Sequence, residues 1–192
     1  MERFRAELTA FIQGLYEGER KVLVFGEGRV GAPVMMIGEA PGEQESLQGR
    51  PFVGKAGKNL DAFLEAAGMD RRALYVSNTV KFRPTRVSSA GRVVNRPPTQ
   101  EEVKLFLPWL LREIGLVDPR CVITLGNVPL KALTGRSSVI GDLHGQFLEL
   151  NGRTLYPMYH PASLIYNPSL KDVYREDIER FAQWYRQKVT IC

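Results

Sequence analysis

The spacing of apolar residues along this chain changes several times, and each change marks an element. Between residues 3 and 17, Phe4, Leu8, Phe11, Ile12 and Leu15 fall on one face of a helix. Val34-Met35-Met36-Ile37 is an unbroken apolar run between turn formers and reads as a buried strand. From Lys55 to Ala67 the helical spacing returns, with Leu60, Phe63, Leu64 and Ala67 inward and Gly68 as the stop. Residues 73 to 77 form a second strand, which ends at Asn78. Thr99 and Glu102 make a capping box for the next helix, and Pro108 inside it predicts a kink or a restart. Cys121 to Leu125 is the third strand, followed by a short helix from Asn127 and Pro129 to near Gly135. Asn151-Gly152 between two apolar arms predicts a hairpin. Its second arm, continued through Tyr159, serves also as the fourth core strand and delivers His160 at its end. A last helix runs from Ser169 to Lys188, with Tyr174, Ile178, Phe181 and Tyr185 on one face.

Strands alternating with helical patterns predict an α/β fold: a three-layer α/β/α sandwich around a central, mostly parallel four-stranded sheet. No repeat or linker divides residues 1–192, so a single domain is expected. Val22 to Phe25 leads into Gly26-Glu-Gly-Arg-Val-Gly31, which fits the pattern G-x-G-x-x-G. In a dinucleotide site those glycines open a helix. Here Ala32-Pro33 and a strand follow, so the motif reads as a connector.

Ligands of open α/β sheets sit beyond the carboxyl ends of the strands. The loop from Gly38 to Phe52 leaves the first core strand and holds three glycines, two prolines and three glutamates. Its acids, its tight turns and the flat ring of Phe52 make it a candidate active site. Glu39, Asn78 and His160 each lie just past the end of a core strand. Taken singly, such a Glu is usually solvated, such an Asn a turn former, and a His before Pro structural. Their common placement favours function.

Charge sharpens the picture. The net charge is +5, and the stretch from Lys81 to Gln100 carries Lys81, Arg83, Arg86, Arg92 and Arg96 with no acid. Either a polyanionic partner or a well-solvated loop fits such a segment. Two cysteines, Cys121 and Cys192, are too few and too far apart for a disulfide framework or for a metal site of their own. No apolar stretch is long enough to span a bilayer, and the N-terminal residues lack the apolar segment of a signal peptide, so a cytoplasmic protein without membrane partners is expected.

Four blocks then coincide: Gly38-Glu-Ala-Pro-Gly42, Gly49-Arg-Pro-Phe-Val-Gly-Lys-Ala-Gly57, Asn78-Thr-Val-Lys-Phe-Arg-Pro84 and His160-Pro-Ala-Ser-Leu164. In this order they resemble the uracil-DNA glycosylase superfamily, most of all the bacterial and archaeal branch called family 4. The resemblance covers the chain from Val22 to Tyr185. It implies that Phe52 stacks on an extruded base, that Asn78 reads the uracil edge, and that His160 contacts the base oxygen where negative charge develops. It implies catalytic roles for Glu39 and Glu45 in water activation and at the sugar cation, and substrate contacts at Ala40 and Gly42. Leu164 falls where the superfamily drives a wedge into the duplex. Lys81, Arg83 and Arg86 are expected to follow the DNA backbone. Cleavage of an N-glycosidic bond leaves positive charge on the sugar and negative charge on the base, which a carboxylate and a hydrogen-bond donor stabilise. Neither Lys55 nor Lys81 takes the part of an amine nucleophile in the resemblance, so base removal by water without strand cleavage is expected. The expected partner is uracil-containing DNA, bound by a monomer.

The chain also departs from family 4, whose four cysteines hold an iron–sulfur cluster. Phe82 and Phe106 stand at two of those positions, and residues 14 to 20 contain no cysteine. A cluster of this kind needs thiolates. The expectation is therefore no cofactor, with Phe82 and Phe106 meeting in its space, joined by Leu15 or Tyr16. Tyr166 replaces an Arg of the family, Ser46 stands where an acid is usual, and His144 falls near a position that is usually basic and is expected to be structural or a phosphate contact. Two other readings stay open on the sequence: excision of another deaminated base such as hypoxanthine or xanthine, and a DNA-binding module of the same fold with little activity.

Overall fold

The computed structural model describes residues 1–135 and 139–189. Cys192 lies outside the described residues. In chain order the elements are α1 (Glu2–Leu15), β1 (Glu27–Gly28), β2 (Val34–Gly38), α2 (Glu43–Gln48), α3 (Lys55–Ala66), β3 (Tyr75–Asn78), β4 (Thr85–Val87), β5 (Val93–Asn95) and α4 (Gln100–Val117). There follow β6 (Cys121–Leu125), α5 (Asn127–Thr134), α6 (Ile140–Leu143), β7 (Leu148–Leu150), β8 (Arg153–Met158), α7 (Ser163–Tyr166) and α8 (Leu170–Lys188).

The main sheet has the order β1-β3-β2-β6-β8-β7. Its four central strands are parallel, as the alternating pattern predicts. Short antiparallel strands, β1 and β7, close its two edges. Every residue of β2 and of β6 is buried. That follows from helices on both faces of a parallel sheet, and explains why these strands read as unbroken apolar runs. Val34 and Met36 face α3 and α8, with Leu60, Leu64, Tyr174, Ile178 and Phe181. Met35 and Ile37 face the opposite layer, with Leu110 and Ile114 of α4 and Leu130 of α5. The chain steps from β2 to β3 on one side and then back past β2 to β6, so a crevice opens at the carboxyl ends of these strands. A third apolar cluster joins Phe4, Leu8 and Ile12 of α1 to Val80, Phe82 and Phe106.

One expectation is narrowed and another corrected. Of the two outcomes expected at Pro108 the restart is ruled out, since α4 is continuous from Gln100 to Val117 with the proline inside it. Its predicted capping box is present, with the Thr99 hydroxyl accepting from the Glu102 N–H at 3.2 Å and the Glu102 carboxylate accepting from the Thr99 N–H at 2.7 Å. Pro108 and Lys104 both face solvent, so water can satisfy the carbonyl that the proline leaves without a donor. The basic segment is no open loop either. It folds as an antiparallel hairpin, β4 against β5, with Arg86 opposite Val94 and Val87 opposite Val93. Gly91, at φ +72°, turns the chain between the two strands. The hairpin buries neither face fully, so it lacks the alternation that marks a strand in sequence.

Candidate active site

Beyond the ends of β2, β3 and β8 lies a cleft of about 450 Å³. Ala40, Gly42, Glu45, Phe52, Asn78 and His160 all line it. Three strand ends and one loop therefore bring together six of the residues singled out from sequence.

The loop after β2 is folded around one carboxylate. Glu45 accepts hydrogen bonds from the N–H groups of Gly42 (3.1 Å), Val53 (3.0 Å) and Gly54 (2.7 Å). Those donors include the open N-terminus of α3, where negative charge is favoured. Glu45 thereby ties α2 to α3 and shapes the wall of the cleft. Phe52 lies between them in the left-handed region, at φ +54°. Arg71 holds this turn, donating to the carbonyls of Pro51 (3.0 Å) and Phe52 (3.2 Å) while paired with Asp61 at 2.6 Å. Gly57 lets α3 come close, because a Cβ there would lie 1.9 Å from the Phe52 carbonyl oxygen. Gly38 does the same beneath the ring. A Cβ at Gly38 would lie 2.5 Å from both Cζ of Phe52 and Oδ1 of Asn78.

The Asn78 side chain is buried and lines the cleft, and its amide makes no hydrogen bond to the described residues. It is therefore available to a ligand. His160 faces Phe52 with ring centroids 6.2 Å apart. Its Nδ1 accepts from the Ala162 N–H at 3.2 Å, which leaves the proton of the neutral ring on Nε2. Burial lowers the His160 pKa to about 4, opposed by the charge of Glu45. The imidazole is thus a neutral donor at physiological pH.

Glu39 does not line the cleft wall. It follows Gly38, is half-buried, and its carboxyl is raised above the ordinary range by that burial. Arg83 sits at the rim, donating from Nε to Asn95 Oδ1 (2.6 Å) and paired with Glu43 at 3.3 Å. Arg96 is paired with Glu102 at 2.7 Å. Arg86 and Arg92, on the hairpin, are exposed and form no ion pair among the described residues.

Two assignments from sequence are corrected. Lys81 is fully buried, so its ammonium is out of reach of a phosphate on the surface. A lysine in a basic run reads as exposed; here Ser77, the Asn78 carbonyl and Glu113 draw it inward. Leu164 is partly buried against the core, on the side of a separate groove with Phe63 and Arg175. The residues that α7 exposes are Ile165 and Tyr166, the latter 85% exposed. His144 bonds Asp177 through Nδ1 at 2.8 Å, in keeping with a structural part. Sequence reasoning missed Arg71, which belongs to no motif block, and Asn95, whose place in the cleft depends on the hairpin.

Phe82 and Phe106 meet edge to face with centroids 5.5 Å apart, and Tyr16 adds a third ring 5.7 Å from Phe82. Leu15 points to solvent instead. Among the described residues no cluster of His, Cys, Asp or Glu could hold a metal ion, and no helix is long and apolar enough to cross a membrane.

The model of the uracil DNA glycosylase superfamily matches residues 25–187. A type-4 uracil-DNA glycosylase of Saccharolobus solfataricus is 37% identical over 170 residues, which span 84% of this chain and 75% of that protein. A type-4 uracil-DNA glycosylase of Pyrobaculum aerophilum is 38% identical over 172 residues, 84% of this chain and 83% of that one. Among solved structures, wild-type SMUG2 of Pedobacter heparinus shares the fold, with a TM-score of 0.56 at 13% identity over 97% of this chain and 84% of that one.

Proposed function

Because the chain belongs to the uracil-DNA glycosylase superfamily, we propose that it removes uracil from DNA by hydrolysing the N-glycosidic bond of a nucleotide turned out of the duplex, without cutting the strand. One observation carries this reading: an unpartnered Asn78 amide, the Phe52 ring and the Nε2–H of His160 converge on one cleft. A base inside a stacked duplex cannot reach such a cleft and must leave the stack, at a cost of about a few kcal/mol. Stacking on Phe52 offsets part of that cost, with base–aromatic contacts contributing about 1–3 kcal/mol. The Asn78 amide pairs with N3–H and O4 of uracil, an edge that cytosine presents with the opposite polarity.

As the bond breaks, the departing base gains negative charge on its oxygen. A neutral imidazole aims its N–H there without first having to lose a proton. The sugar gains positive charge, which the Glu45 carboxylate, fixed by three N–H donors, stabilises. Glu39, outside the cleft wall and with its pKa raised by burial, draws the proton from the attacking water through one bridging water. Arg86 and Arg92 neutralise phosphates beside the extruded nucleotide.

The residues do not fit an iron–sulfur cluster. Phenylalanines occupy two of the expected ligand positions and pack against each other. Cys121 is buried in β6, where desolvation pushes its thiol far above the ordinary range. The three rings take the place of a metal centre as packing, and no step of the reaction runs through one.

The test is release of uracil from single- and double-stranded oligonucleotides, with Asn78→Ala alongside. Free uracil and an intact abasic strand are expected from the wild type, with a loss of about a hundredfold or more in the variant. A borohydride-trapped protein–DNA adduct would contradict water attack. Release of hypoxanthine or xanthine in preference to uracil would redirect the substrate, and tight binding with no base release would make the protein a binding module.

A further inference from the structure

We propose that the buried pair Lys81–Glu113 is a positioning device that aims the Asn78 amide, and so sets which base the cleft accepts; this rests on the uracil reading above. Neither side chain touches the cleft. Both are 0% exposed. The Lys81 ammonium donates to Glu113 Oε2 at 2.6 Å, to the Asn78 carbonyl at 2.6 Å and to Ser77 Oγ at 2.8 Å, so all three of its protons are placed. Glu113 accepts also from Ser77 Oγ at 2.9 Å and from the Tyr75 hydroxyl at 3.1 Å. Burial and the neighbouring carboxylate raise Tyr75 well above its ordinary range, so it remains a donor. Gly26 leaves room for the group, since a Cβ there would lie 2.6 Å from Glu113 Oε1 and 2.4 Å from the Tyr75 ring.

Removing two full charges from water is expensive, and an apolar pair of similar volume usually packs at least as stably. What an apolar pair cannot do is hold the carbonyl of Asn78. That residue ends β3, and the peptide after it is also tied to β2, with the Thr79 N–H donating to the Gly38 carbonyl at 2.8 Å. Its side-chain amide has no protein partner among the described residues, so its aim depends on its own backbone and on the Gly38 and Phe52 atoms beneath it. Lys81 holds the carbonyl side of the peptide plane that follows Asn78 and the Thr79 N–H bond to Gly38 holds its other side, so the two together restrain the backbone that carries the amide. An amide turned over or swung aside would no longer match N3–H and O4 of uracil.

A purely architectural pair and a positioning pair are separated by Lys81→Met combined with Glu113→Leu. This variant removes both charges and keeps the volume. We expect a lowered melting temperature, because the Ser77 and Tyr75 hydroxyls and the Asn78 carbonyl lose buried partners, so the kinetics are read at a temperature where circular dichroism shows the variant folded. Single-turnover kcat on uracil DNA should fall at least tenfold, KM should stay within twofold, and the preference for uracil over cytosine should narrow; a misplacement of about 1 Å typically costs a hundredfold in rate. Lys81→Met with Glu113→Gln, whose amide can keep the Tyr75 bond, gives the same readout if the first variant does not fold. A folded double variant with wild-type kcat and wild-type base preference overturns the positioning role. A wild-type protein that releases no uracil in the same assay refutes the proposed function instead, so the two failures are told apart.

Discussion

Gly38→Ala tests the floor of the cleft with a single methyl group. Gly38 ends β2 with ordinary backbone angles, so alanine meets no conformational penalty there. The new Cβ would lie 2.5 Å from Cζ of Phe52 and 2.5 Å from Oδ1 of Asn78, where ordinary contact begins at 3.4 Å. Both groups must retreat by about 1 Å, a shift that costs about a hundredfold in rate, or about 2.7 kcal/mol in the barrier. Crowding a packed site costs about 1–3 kcal/mol of stability in addition. The assay is single-turnover uracil release at saturating enzyme, with thermal unfolding of the same preparation. Gly14→Ala, on the outer face of α1 with nothing within 4 Å of its Cβ, is the control and should leave both measurements unchanged. A folded Gly38→Ala protein that releases uracil within threefold of the wild-type rate would falsify the claim that Phe52 and Asn78 together form the base site.

Three further outcomes are expected. Uracil release should be flat near neutrality and fall in acid, first as Glu39 takes up a proton above its ordinary 4.5 and then as His160 does near 4; Glu39→Gln should remove the upper step of a pH–rate profile. The same lowered His160 pKa contributes stability that is complete above about 6.5 and is lost as the pH falls toward 4, because the unfolded chain takes up that proton first; Glu39, shifted the other way, opposes it, and His160→Asn should flatten this part of an acid denaturation curve. Replacing Arg86 and Arg92 by Gln should reduce the log–log salt slope of DNA binding by about two, while Arg96→Gln, already paired with Glu102, should change it less. Phe106→Ala should cost about 3–5 kcal/mol in denaturant unfolding, and the wild-type protein should be colourless and indifferent to chelators.

Much of the site was legible before the fold. Asn78 and His160 stand at strand ends that the apolar runs locate, Glu45 and Phe52 lie in the acid-rich loop region that follows the first of those runs, and the parallel order follows from helices alternating with the runs. What stayed hidden depended on contacts distant in the chain. Lys81 sits among basic residues and could not be seen to turn inward, because its partner Glu113 is one of several acids on a helix that begins beyond the hairpin. Leu164 follows the His-Pro block and read as a wedge, yet the packing of α7 on α8 turns it toward the core and exposes Tyr166. Arg71 lies in a short turn with no motif around it, and its part emerges only where its guanidinium meets the Pro51 and Phe52 carbonyls. Pro108 left a kink and a restart both open, and the helix that continues through it excludes the restart.

The left-handed turn at Phe52 has a consequence for how a nucleotide is received. Such a backbone costs a bulky residue about 1–2 kcal/mol, and contacts within the protein, from Arg71 and across Gly57, hold it there. The aromatic shelf is thus set by the protein's own contacts. Selection then falls on the visitor, which must fit a fixed berth, and the free and DNA-bound proteins should superimpose along residues 51 to 57 with scarcely any adjustment.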